Sequence, residues 1–347
     1  GSPYVKQSTR FIASSTYNPS ELYLTILSDM PISGIQVNIT EPTSTGSITH
    51  QMTFGSGYWN WQTAVSTSNI TIDAFKSGSS RNTYMLAMDI SGTIKQDTYW
   101  SVDIIDTQPA HYHLFISDDA SGWSGGSEWH PNDGVTDQNT ITWPSTADTA
   151  ISVASYMSRN LWSPGYGQLA PYSSQGNRID GTSKLSVAAP GGWDVVSPWS
   201  NDSAWASWMT GVGSLPLYPM FGGYQLFSGT SAAGPHVAGA AALLLQLNPD
   251  IGHLIKDIVE KTAWTDGYTP SPNPYPGDGH ILWGYGKLNI SQAIIEATTI
   301  PNIVESSQNP GNPEYTDTVF LASNVSCADF VVLHWSHNNW STTHVLN

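Results

Sequence analysis

The stretch from Phe227 to Gly239 reads Phe-Ser-Gly-Thr-Ser-Ala-Ala-Gly-Pro-His-Val-Ala-Gly and restricts the fold more than any other part of the chain. Small residues at Ala232, Ala233, Gly234, Ala238 and Gly239 let a helix lie close against whatever surrounds it. The run stays small or apolar to Leu247, so Thr230 to Leu247 is predicted to be a buried helix. Gly229 allows a sharp turn just before it. Ser231 then falls at the helix N-terminus, where free N–H groups and the positive end of the dipole favour developing negative charge. A serine so placed can be a simple helix cap or a catalytic residue, and Ser231 is the candidate for the second role. Pro235 is placed within the first turn, where a missing N–H does little harm.

The chain on either side changes character. Before residue 118 the apolar residues alternate over short stretches: Leu22 to Ile26, Ile35 to Ile39, Tyr84 to Met88, Tyr99 to Ile105 and Tyr112 to Ile116. Ser, Gly and Asn separate these stretches, and the pattern predicts an all-β sandwich or jelly roll over residues 1–118. A Ser/Gly/Asp/Trp-rich loop, Asp118 to Gln138, follows. Ala150 to Ser155 and Leu185 to Ala188 read as buried strands. After the first helix, a second is expected from Asp250 as N-cap, with Ile251, Leu254, Ile255, Ile258 and Val259 on one face. A third, shorter helix is expected near Ser291 to Ala297. Strands alternating with helices imply an α/β layer over residues 119–300. Residues 301–347 read as a linker, Asn302 to Glu314, and the start of a further β element.

At this point the chain resembles the subtilisin-like serine proteases, whose nucleophile motif is Gly-Thr-Ser-Met-Ala-x-Pro-His-Val-Ala-Gly. Ala232 stands where the family has Met, and Gly234 where it has Ala or Ser. Four further segments match in the family's order. Trp143 to Val153 looks like the strand before the second half of the core. Tyr172-Ser-Ser-Gln-Gly resembles the family's Phe-Ser-Ser-x-Gly, and Val187-Ala-Ala-Pro-Gly its Ala-Pro-Gly turn. Gly284-Tyr-Gly-Lys-Leu-Asn resembles the closing Gly-x-Gly-x-Leu/Val-Asn. The resemblance implies the C-terminal half of a subtilisin-like parallel-sheet domain, with the β domain as an insertion. It also implies peptide-bond hydrolysis through an acyl-enzyme on Ser231, with proteins or peptides as substrate.

A serine nucleophile needs a base and a carboxylate that orients it. The family's Asp-Thr/Ser-Gly, His-Gly-Thr-His and Ala-Gly-Asn motifs do not occur in this sequence. His236 lies five residues along the same helix, roughly 140° around from Ser231, and matches a structural position of the family. The expected partner is therefore an N-terminal protease segment carrying the Asp and His, either a separate or a cleaved piece. Without it the chain is expected to be inactive.

Two other readings stay open. One is a cell-surface structural or binding protein that reuses a protease scaffold. The other is carbohydrate binding by the sandwich, with Trp59, Trp61 and Trp100 as stacking platforms. Gly122-Trp-Ser-Gly-Gly fits a hydrolase elbow by letter, but Asp118 to Ser121 precede it where that elbow needs a strand. It reads as a solvated loop.

Composition excludes some functions. Eleven basic residues against 27 acidic ones leave −16, so a phosphate backbone is repelled and nucleic acid is not an expected partner. The longest apolar run, Val237 to Leu245, is too short to span a bilayer. One cysteine, Cys327, excludes an intramolecular disulfide. Sequons at Asn38, Asn69, Asn201, Asn289, Asn324 and Asn339 point to an extracellular or cell-surface glycoprotein. No cofactor is identified. Calcium is common in the resembled family, yet no acidic loop here has a calcium pattern. Glu128, His130 and Asp133 lack the spacing of a metal site and read as a polar loop.

Overall fold

The computed structural model describes residues 5–14, 19–32, 34–55, 60–65, 69–79, 83–106, 111–119, 126–159, 165–192, 195–198, 224–269, 279–300, 302–309, 320–326, 333–336 and 343–346. The chain divides into two compact units, Gly1–Asp137 with Ile179–Thr182, and Gln138–Arg178 with Ser183–Asn347.

The first unit consists of two antiparallel five-stranded sheets. Its strands are β1 (Val5–Ile12), β2 (Glu21–Ser28), β3 (Ile35–Thr43), β4 (Gly46–Phe54), β5 (Asn60–Val65), β6 (Ile70–Gly78), β7 (Tyr84–Gly92), β8 (Tyr99–Asp106), β9 (Tyr112–Asp118) and β10 (Glu128–Trp129). One sheet has the order β10-β1-β8-β3-β4 and the other β5-β6-β7-β2-β9. The period-2 pattern decides which face is buried. Leu22, Leu24 and Ile26 of β2, Ile70, Ile72 and Ala74 of β6, and Ile35, Val37 and Ile39 of β3 all enter one core shared by both sheets. Phe11 and Trp100 stack within it at 5.8 Å, with Trp129 edge-on to Phe11. The Trp100 indole N–H, buried with its ring, donates to the carbonyl of Lys95 at 2.9 Å.

This unit runs past residue 118. Glu128 and Trp129 pair with Ile12 and Phe11, and the Asp118 carboxylate accepts from the amide and hydroxyl of Ser127. The Asp118 to Gln138 region therefore holds an edge strand as well as a loop. His130 and Asp133 lie beside Arg10, whose guanidinium forks onto the two Asp133 oxygens at 2.7 and 3.0 Å. The Gly122 to Gly126 segment lies outside the described residues.

The second unit is built on a parallel pair, β11 (Ser152–Tyr156) and β12 (Leu185–Pro190). A single parallel bridge from Ala188 to Lys287 extends it. A hairpin of β13 (Val195–Pro198) and β14 (Tyr224–Phe227) leads into helix α1 (Thr230–Leu247). Helices α2 (Ile255–Lys261) and α3 (Ile290–Thr299) follow. Val187 and Ala189 of β12 pack with Val237 and Leu244 of α1, Ile258 and Val259 of α2, and Ala293 and Ala297 of α3. Ile141, Ala154, Leu185, Ala188 and Trp283 form a separate buried cluster. No helix among the described residues is long and apolar enough to cross a membrane.

Four local expectations are corrected. The second helix starts as a 3₁₀ segment, Pro249–Leu254, and its cap is Asn248, whose side chain accepts from the Asp250 amide at 3.1 Å. Pro249 sits at the first position, so the capping oxygen must come from the residue before it. Of the stretch Trp143 to Val153, only Ser152 and Val153 lie in a strand, while turns occupy 143–150 and Trp143 is 84% exposed. Asn302–Asn309, read as linker, is a strand (β15) paired with Phe320–Ser326 (β16), and a second hairpin joins Leu333–Ser336 (β17) to Thr343–Leu346 (β18). Helix α1 is not buried all round. Ala232, Ala233, Val237, Ala240 and Leu244 form its buried stripe, while Leu243, Leu245 and Leu247 are exposed.

Candidate functional site

Gly229 is the N-cap of α1 with φ +103°, a conformation that L side chains rarely adopt, and no side chain caps the helix. The turn is held instead by its neighbours. The Gly229 amide donates to the Gly191 carbonyl at 2.8 Å and to the Tyr172 hydroxyl at 3.1 Å. The same Tyr172 hydroxyl donates to the Gly191 carbonyl. Gly191 needs to be glycine for a different reason. A Cβ there would meet Ser155 Oγ at 2.4 Å, the Gly229 carbonyl oxygen at 2.7 Å and Ala233 Cβ at 2.9 Å. The end of β12 and the entry to α1 thus touch backbone to backbone.

Ser231 is the second residue of α1. Its side chain is exposed, and its hydroxyl has no hydrogen-bond partner among the described residues. It lines a cavity of about 570 Å³ with Thr142, Ser152, Ser174, Thr230 and Val237. Within the first turn the Ala232 amide donates to the Gly229 carbonyl at 2.9 Å, which leaves the Thr230 and Ser231 amides as the ones without a partner in the helix. Pro235 is the sixth helical residue rather than part of the first turn. The N–H it lacks is the one that would bond the carbonyl of Ser231.

His236 does not approach Ser231, since its Nδ1 lies 2.8 Å from the carbonyl of Ala232 on the preceding turn. His50 is buried in the first unit, 3.6 Å from Glu41. His280 Nδ1 accepts from the Leu282 amide at 3.2 Å, and burial lowers its affinity for a proton. The structure therefore joins Ser231, Gly191 and Gly229 of the sequence motifs, and it brings no histidine or carboxylate among the described residues onto the serine.

The sequence of this segment carries a family signature. Residues 120–287 match the profile of the Subtilase family. This is a subtilase segment. Among curated proteins, the chain is 32% identical over 182 residues to pyrolysin of Pyrococcus furiosus, which covers 45% of this chain and 11% of that protein. It is 32% identical over 164 residues to the serine protease AprX of Bacillus subtilis, covering 46% and 32%. It is 36% identical over 118 residues to the subtilisin-like protease SBT1.9 of Arabidopsis thaliana, covering 33% and 14%. The chain thus spans between about a tenth and a third of the length of these relatives. The subtilase segment contains Ser231, Gly191, Gly229 and Tyr172, and supports a serine peptidase at the level of the family.

Sequence reasoning missed two features of the segment. Tyr172 was placed by its motif, but its hydroxyl, the atom that reaches the Ser231 turn, is invisible in a match to phenylalanine. Lys287 was likewise only a variable position of Gly284 to Asn289. In the structure it is 1% exposed, bonded to Asp266 at 2.5 Å and to the Gly167 carbonyl at 2.8 Å. The rings of Tyr156, Trp264, Tyr268 and Trp283 surround it with centroids 4.8–5.4 Å from Nζ. A signal existed in the aromatic density of 264–285, yet which cation it serves depends on the fold.

Proposed function

We propose that this chain supplies Ser231 as the nucleophile of a subtilisin-type serine endopeptidase. In this reading residues 119–300 are the C-terminal half of the family's parallel-sheet domain, and the sandwich is a jelly-roll-type insertion. One observation carries it. Ser231 stands exposed and without a hydrogen-bond partner at the start of α1, over a cavity, within a subtilase segment.

The chemistry follows from that placement. A base takes the Ser231 proton as Oγ attacks the scissile carbonyl, and negative charge grows on the carbonyl oxygen. The helix N-terminus stabilises that charge. The C–N bond then breaks, the leaving amine takes the proton from the base, and water releases the acyl group by the same steps. The base, its orienting Asp and the oxyanion-binding Asn belong, in this proposal, to an N-terminal segment that docks beside α1 and β11. The two features that support docking are the exposed leucines of α1 and the pairing of β11, among the described residues, with one strand, β12, and with Leu169 only at Tyr156 near its end. The six sequons support an extracellular or cell-surface setting.

The test is labelling with a fluorophosphonate probe, with and without the N-terminal segment, and with Ser231→Ala as control. Labelling at Ser231 that requires the segment is the expected result. A folded chain that stays unlabelled with the segment bound would overturn the proposal in favour of a scaffold without activity.

A further inference from the structure

Of the three tryptophans that could stack on a sugar, Trp100 lies in the sandwich core at 0% exposure and Trp59 falls outside the described residues. Trp61 is different. It is 69% exposed on β5, with its ring stacked on Phe75 at 6.2 Å between centroids and 25° between planes. The strand register extends this pair into a row across the outer face of the sheet: Trp61, Phe75, Ala87, Thr25 and Phe115. Strands lie about 4.8 Å apart, so the row runs about 19 Å across the face. The next row, about 7 Å away along the strands, is Thr63, Asp73, Asp89, Tyr23 and Ser117.

We infer that this face binds a neutral linear oligosaccharide, independently of any reaction at Ser231. A pyranose ring is apolar on its C–H faces and carries hydroxyls around its edge. The first row offers the apolar contact, led by a tryptophan that Phe75 holds in place. The second row offers hydroxyls and carboxylates, and carboxylate acceptors make the stronger hydrogen bonds to a sugar hydroxyl. Thr63 already donates to Asp73 at 2.5 Å and the Tyr23 hydroxyl to Glu21, while Asp89 is exposed. Neither row contains Lys or Arg.

The charge and the order of the rows select among ligands. Asp73, Asp89 and Glu21 repel an anionic chain. A basic side chain placed over Trp61 would have Phe75, Ala87 and Thr25 in its row and the carboxylates one row away. A sugar ring presents both chemistries side by side, at the separation of the two rows. No group of three side chains that could hold a metal ion occurs here among the described residues.

The experiment is calorimetric titration of the full chain with cello-, xylo- and manno-hexaose, at low and high salt. One of the three is expected to bind saturably with little dependence on salt. Trp61→Ala should weaken that binding about tenfold or more, with circular dichroism and melting unchanged, and Trp61→Phe should recover part of it. Asp89→Asn should weaken it several-fold, and Ser231→Ala should leave it unaltered. Absence of binding by the wild type, or equal binding by Trp61→Ala, overturns the inference. So does a salt-sensitive affinity for an oligolysine peptide, or a dimer seen by sedimentation, if Trp61→Ala abolishes it while the sugars do not bind.

Discussion

On β2 of the sandwich, Leu22, Leu24 and Ile26 are fully buried, and the strand has β7 on one side and β9 on the other. On β11 of the subtilase segment, Ala154 is equally buried, yet among the described residues the strand pairs with β12 alone, apart from a single bridge from Tyr156 to Leu169. The contrast extends to the helix. The sandwich collects its apolar residues into one cluster drawn from both sheets, whereas α1 buries one stripe and exposes Leu243 at 44%, Leu245 at 38% and Leu247 at 47%. A β-sandwich built of hairpins supplies both layers of its own core. A parallel layer is covered only when crossovers bring helices and further strands to it, so its completeness depends on chain far away in sequence.

Substitutions can break or sharpen this comparison. The largest effect belongs to the sandwich. Trp100→Ala removes a fully buried ring stacked on Phe11 and is expected to cost about 3–5 kcal/mol, read by denaturant unfolding of the first unit. An equal loss in the subtilase segment from a single aliphatic change on the exposed flank of α1 would contradict the contrast drawn above.

Next comes Lys287→Met, which leaves Asp266 without its cation and four rings around an uncharged chain. Breaking such a pair costs about 3 kcal/mol when it is buried, and the side chain here is 1% exposed against 22% for Asp266. The pH dependence sharpens the test. Burial pushes the Asp266 carboxyl up, but the hydrogen bond from Lys287 and the amides of Tyr268 and Thr269 outweigh it and hold the carboxyl below its ordinary 3.8. A depressed carboxyl contributes stability that is present above the unfolded value and fades as pH falls through the folded one. Melting of the wild type should therefore decline below about pH 4 more steeply than melting of Lys287→Met.

Tyr172→Phe deletes one hydroxyl that joins Gly191 and Gly229, and a loss of about 1 kcal/mol is expected by chemical denaturation. If that hydroxyl also sets the turn before Ser231, fluorophosphonate labelling in the presence of the N-terminal segment should slow several-fold at temperatures where the variant is fully folded.

The smallest effect is expected from Leu243→Ala. With 44% of the side chain exposed, it should change the stability of the chain alone by no more than about 0.5 kcal/mol. Docking of an N-terminal segment against α1 would convert the same substitution into a measurable loss of affinity, which sedimentation or calorimetry would detect.

Much of the second unit was legible because its constraints are local. Gly229 can take φ +103° and Ser-Ala-Ala-Gly can start a closely packed helix whatever lies around them. Gly191 announced itself through the Ala-Pro-Gly turn, though its reason, contact with Ser155, Gly229 and Ala233, required the fold. The Asp250 cap was misread because Asn248 and Asp250 are both good caps, and only the place of Pro249 at the first helical position separates them. The strand at Asn302–Asn309 was misread because its polar residues show no alternation, and its identity comes from pairing with Phe320–Ser326.

The sequence by itself determined the short-range features: alternation that makes the sandwich strands, small residues that make α1, and the family signature around Ser231. Those depend on backbone sterics and on periodicity, which a few neighbouring residues settle. Only the tertiary structure decided that Trp100 is core while Trp61 is surface, that Lys287 sits in a ring of aromatics, and that Leu243, Leu245 and Leu247 of α1 are exposed. Two tryptophans in strands look alike in sequence. Which face of a sheet meets another layer is set by residues tens of positions away, through the register they impose.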